Sequence, residues 1–113
     1  MLRVVGRCVA LSRGDTGRLR LTFTGLQLTD DDVIIFTVRP LPGSYDKIIE
    51  KRTTATDNVA VVVFTPDDTQ EMTPFRYAYD VRILKTIDNG TVDVLTPYPP
   101  AAFDIVEVIG DGK

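Results

Sequence analysis

The residues able to do chemistry here are carboxylates, tyrosines, one thiol and a tyrosine set among prolines, because the sequence contains neither histidine nor tryptophan. Without histidine, no Ser-His-Asp or Cys-His device can be assembled, and ordinary histidine-zinc and 2-His-1-carboxylate iron sites are excluded. Two acids facing each other across a cleft could hydrolyse a glycoside. The candidates are Asp67, Asp68, Glu71, Asp80, Asp93, Asp104 and Glu107. Most fall on turns or outward strand positions, where solvation accounts for them, and a 113-residue sandwich has little room for a deep cleft. No catalytic residue is assigned, and the chain is expected not to be an enzyme.

Asp30-Asp31-Asp32 offers three adjacent carboxylates to a hard cation such as calcium. Neighbours on an extended chain point in opposite directions, and EF-hand spacing is missing, so a solvated turn is expected. No metal site and no cofactor is assigned. Arg13-Gly14-Asp15 is read as turn chemistry rather than as an adhesion signal. No glycine-rich phosphate loop follows a strand and opens a helix. Cys8, the only cysteine, rules out an intramolecular disulfide, and its apolar surroundings predict a small buried thiol.

The candidate contact surface is Pro97, Tyr98, Pro99 and Pro100. A tyrosine flanked by prolines loses little entropy on docking, and the stretch reads as a stiff extended loop at the end of a sheet. Of Tyr77 and Tyr79, one is expected to bond backbone near the Pro66–Pro74 crossover, as a corner tyrosine does. Asp80 is expected to pair with Arg76 and Arg82 across strands.

These residues must be carried by strands. From Phe75 to Leu84, the residues Phe75, Tyr77, Tyr79, Val81 and Ile83 fall at every second position, which puts them on one face of an extended chain. This segment predicts the central strand. Leu2–Ser12 reads as a first segment, broken at Gly6, and Arg18–Thr24 alternates with Leu19, Leu21 and Phe23 inward. Val33–Arg39 is almost continuously apolar, as in a strand covered on both faces. Tyr45–Thr54 is polar and edge-like, with Ile48 and Ile49 on opposite faces. After Asp57-Asn58, Val59–Phe64 is a buried strand. Thr65–Met72 can form a turn or two of helix, with Asp68 and Glu71 spaced as a capping box, and would cross between sheets. Asn89-Gly90 predicts a hairpin leading into Val92–Leu95. A last strand over Phe103–Ile109 has a bulge at Ile105-Val106, and Gly110–Lys113 is a frayed end.

About eight short strands and no amphipathic helix predict one antiparallel β-sandwich domain, Ig-like in type, over residues 1–113. The formal charge of −3 comes without a basic cluster beyond alternating strand faces, so nucleic acid is not an expected partner. Two arginines interrupt the N-terminal apolar stretch, and no run approaches the ~20 residues that cross a bilayer. The expectation is a protein made in the cytosol, with no membrane partner.

Several pieces in order resemble small Ig-like virion proteins of tailed phages and prophages of Gram-positive bacteria, in particular the N-terminal module of phage baseplate upper proteins. The matching pieces are Arg13-Gly14-Asp15 before Leu19–Phe23, then Val38-Arg39, Ile49-Glu50-Lys51 and Phe64-Thr65-Pro66-Asp67-Asp68-Thr69. Tyr77-Ala78-Tyr79-Asp80-Val81-Arg82, Asn89-Gly90-Thr91-Val92 and Phe103-Asp104-Ile105 complete them. The resemblance implies a structural role in baseplate or tail, with head decoration next, among other virion proteins, as a virion component made in the bacterial host cytoplasm. It carries over no catalytic residue, and it leaves self-association open. A carbohydrate- or cell-surface-binding sandwich is the alternative.

Overall fold

A computed structural model describes residues 1–86 and 92–107, with side chains for 1–86 and 100–107. In chain order the elements are β1 (Leu2–Val5), β2 (Cys8–Ser12), β3 (Gly17–Thr22), β4 (Val33–Arg39), β5 (Ile49–Thr53) and β6 (Val59–Phe64). The helical turn α1 (Pro66–Thr69), β7 (Phe75–Thr86) and β8 (Val92–Val106) follow. The strands form a six-stranded sheet, β1-β2-β8-β7-β4-β5, and a two-stranded sheet, β3-β6. The two pack as an all-β sandwich. Among the described residues no helix is long and apolar enough to cross a membrane.

The core follows from alternation. Leu19 and Leu21 of β3 and Ala60, Val62 and Phe64 of β6 face Val9, Leu11, Ile34, Phe36, Val38, Val81, Ile83, Phe103 and Ile105 of the larger sheet. Phe36 sits at the centre, its ring 4.8 Å from that of Tyr79, 5.7 Å from Phe64 and 5.9 Å from Phe103. Strand β7 lies between β4 and β8, as its alternation requires, and β4 is buried along nearly its whole length. The Tyr77 hydroxyl donates to the Thr73 carbonyl at 2.8 Å, which is the expected corner bond. That of Tyr79 donates to the Arg7 carbonyl at 2.6 Å and ties β7 to the first hairpin. The turn at Arg13-Gly14 is also as expected, with Gly14 at φ 80°, a backbone angle that side-chain-bearing residues resist.

The break at Gly6 is as expected, Gly6-Arg7 turning the first segment into two antiparallel strands with Val5 opposite Cys8. Several other expectations are corrected. Cys8 is exposed, not buried, because the alternation that turns Val9 and Leu11 inward turns Cys8 out. The capping box is formed by Thr65 and Asp68 rather than by Asp68 and Glu71, with the Thr65 N–H donating to the Asp68 carboxylate at 2.7 Å. Lys51 of β5 reaches the same carboxylate at 2.8 Å. The sandwich is not wholly antiparallel, since β2 runs parallel to β8. Val92–Leu95 and the last strand are one continuous element. Against β2 the register runs unbroken from Val9–Phe103 through Leu11–Ile105 to Ser12–Val106, so no bulge falls at Ile105-Val106. The Asn89-Gly90 turn, the segment beyond Glu107 and the frayed end lie outside the described residues.

Asp32 is not solvated either. It is fully buried, and its carboxylate accepts from the backbone N–H of Thr29 (2.8 Å), the N–H of Thr86 (2.9 Å) and the Lys85 ammonium (3.0 Å). Its ligand capacity is thus taken up in closing the loop before β4 onto the end of β7. Burial pushes its pKa up, but the two N–H groups and the ammonium outweigh that and hold it below the ordinary 3.8. A carboxyl depressed by folding contributes stability above its unfolded pKa and loses it as pH falls through the folded one. Asp32→Ala should therefore cost about 2–3 kcal/mol at neutral pH, three donors being left without their acceptor. Urea denaturation should show the gap from wild type closing as pH drops below about 4.

Candidate interaction surface

Pro97–Pro100 lies within β8, not in a loop. Proline offers no N–H to a ladder, so a strand crossing this stretch cannot keep regular pairing. The register shows the result. Tyr79 pairs with Ala101, Val81 with Tyr98 and Ile83 with Leu95, so β8 spends one extra residue at each step. Two bulges thus replace the expected loop. Tyr98 is held by its backbone opposite Val81, and Pro100 is exposed. The side chains of Pro97, Tyr98 and Pro99 lie outside the described set.

Around Pro100 the surface is built by the segment after β4. Pro40 ends that strand, and Leu41–Ser44 forms a turn in which the Ser44 N–H donates to the Leu41 carbonyl at 3.2 Å. Pro42 and Gly43 occupy its centre, Gly43 at φ 77°, a glycine requirement of this turn type. The turn lifts Leu41 and Tyr45 clear of the body, 62% and 98% exposed respectively. Two shallow hollows meet at Pro100. One, of about 260 Å³, is lined by Arg39, Ser44, Tyr45, Asp80 and Arg82. The other, of about 450 Å³, is walled by Pro40, Leu41, Pro42, Ala78 and Ala102.

The floor of the polar hollow is a buried ion pair. The Arg39 guanidinium donates to Asp80 Oδ2 at 2.6 Å and to the Ser44 carbonyl at 2.9 Å. The two side chains are only 7% and 16% exposed. Asp80 Oδ1 is buried with no hydrogen-bond partner among the described residues. Asp80 was expected to pair with Arg76 and Arg82. Instead Arg76 pairs with Asp104 at 2.8 Å on the neighbouring strand. Arg82 is exposed and makes no ion pair among the described residues. The ladder explains the exchange. Asp80 lies opposite Thr37, one pleat from Arg39 on the same face, and Arg76 lies directly opposite Asp104.

Among the described residues the remaining carboxylates form no facing pair on this surface, and the Asp93 side chain lies outside the described set. Asp67 and Asp68 are on α1, Asp104 is held by Arg76, and Glu107 is held by Arg13 at 2.6 Å. Among the described residues no three metal-ligating side chains cluster. Sequence reasoning placed Pro100 on this surface but missed Arg39 and Tyr45. The signals were there: an arginine closing an apolar strand, and a tyrosine directly after Pro-Gly-Ser.

Fold and surface together define a β-sandwich with an open, proline-edged face. Comparison with known proteins finds no matching family model, no matching curated protein and no matching solved structure.

Proposed function

We propose that this chain is a non-enzymatic structural and assembly module acting through protein–protein contacts, in a phage or prophage particle. Baseplate or tail comes before head decoration, with other virion proteins as partners. The observation that carries the contact role is the face around Pro100. It sets exposed Leu41 and Tyr45 on and just after a turn that is closed by the Ser44 N–H on the Leu41 carbonyl and braced by Arg39 on the Ser44 carbonyl, beside exposed Pro100 of β8, so docking has little backbone to order. The phage setting rests on the ordered sequence resemblance.

The test is particle composition. Induced particles purified from the source bacterium should contain the chain, and a photo-crosslinker at position 45 should capture a neighbouring virion protein. Purified particles without the chain would reject the setting.

A second reading, carbohydrate or cell-surface binding, is favoured by Tyr45 standing beside a polar hollow, as a sugar-stacking ring does. Glycan-array binding abolished by Tyr45→Ala would move the assignment there.

A further inference from the structure

On the outward face of β7, Ala78, Asp80 and Arg82 follow one another at alternate positions. Ala78 lies under the apolar hollow between the Pro40–Pro42 segment and Ala102. Arg82 lies at the edge of the polar hollow on the other side of Pro100. Between them, Asp80 is already neutralised by Arg39, and near the apolar hollow Arg76 is neutralised by Asp104. Among the described residues around Pro100, Arg82 is therefore the cation left without an ion-pair partner, on a chain whose formal charge is −3. An occupant that covers the whole face must place apolar bulk over Ala78 and a carboxylate near Arg82. A cationic occupant would meet Arg82 as a third positive group and be repelled.

We propose that this face docks an extended segment of a partner protein that carries an apolar side chain and an acidic side chain four residues apart. The spacing comes from the strand itself. Ala78 and Arg82 are four residues apart on one face, about 13 Å at ~3.3 Å per residue. A partner segment lying along β7 in extended conformation presents its own positions i and i+4 on one side at the same separation. The apolar side chain enters the hollow beside Leu41, and the carboxylate meets the Arg82 guanidinium. Pro100 is the ridge that the segment crosses. This inference rests on the contact-module reading and names the chemistry of its partner.

The test uses the immobilised full chain and a displayed library of random linear peptides. Selection should enrich peptides with an aromatic or aliphatic residue and an Asp or Glu four positions apart, in either direction. For an enriched synthetic peptide, Arg82→Glu should weaken binding on the order of tenfold and restore it when the peptide's acid is changed to lysine. Ala102→Trp, which fills the hollow, should abolish binding while circular dichroism stays that of the parent. Enriched peptides without the acidic position overturn the proposal, as does binding indifferent to Arg82→Glu or the absence of any enriched sequence. The contact-module reading is judged separately by the crosslink at position 45. A captured neighbour alongside a featureless library would sink this motif and leave that reading standing.

Discussion

Phe36→Ala should destabilise the chain by about 3–5 kcal/mol, enough to leave a domain at the lower end of ordinary stability only marginally folded. Phe36 is fully buried, and its ring touches those of Phe64, Tyr79 and Phe103, which come from β6, β7 and β8. It is the place where the two-stranded sheet meets the centre of the six-stranded one. Removing the ring deletes apolar contact on every side and leaves a cavity that rigid strands cannot collapse into. Phe36→Leu keeps much of the volume and should lose less than half as much. Urea denaturation followed by far-UV circular dichroism measures both. A loss below about 1 kcal/mol for Phe36→Ala would mean that the ring cluster is not what joins the two sheets.

Asp80→Ala is the second large effect, also about 3–5 kcal/mol, and for a different reason. It strips the partner from Arg39, whose side chain is 7% exposed, and leaves a guanidinium in a site that water scarcely reaches. The Ser44 carbonyl, at 2.9 Å, satisfies only one of its remaining donors. The pair itself is not an optimised one, because Asp80 Oδ1 finds no partner among the described residues. Replacing both members at once, Arg39→Met with Asp80→Val, should therefore be near neutral. Thermal denaturation of the two single variants and the double one closes the cycle. A double variant as unstable as Asp80→Ala would show that the pair's shape, and not the stranded charge, sets the cost.

Much of the fold was legible because binary alternation specifies strand faces directly. Leu19, Leu21 and Phe23 went inward and Arg18 and Arg20 outward as their positions demanded, and the unbroken apolar run of β4 marked a strand with no wet face. Turn chemistry was legible at Arg13-Gly14 for the same local reason, that a positive φ calls for glycine. What failed were readings that depend on a partner distant in sequence. The prolines of β8 looked like the end of a strand, and only the length of β7 opposite them makes two bulges cheaper than a break. Asp32 looked like one of three equivalent surface acids until the end of β7 closed over it with the Thr86 N–H and Lys85. Asp80 had two arginines nearby in sequence, yet its partner is Arg39, 41 residues away, because pairing with β4 sets that distance. The proposed contact face suffers from the same blindness. Pro100 is visible in the sequence, but Tyr45 and Arg82 join it only through the β4–β7–β8 register.

The parallel pairing of β2 with β8 has a mechanical consequence. The Ser12 N–H donates to the Met1 carbonyl and the Arg13 N–H to the Val106 carbonyl, so both tails of the described chain leave from one pole. Tethers attached there would not stretch the body end to end. A load on them would unzip β1 from β2 starting at Met1 and would leave the opposite pole unloaded.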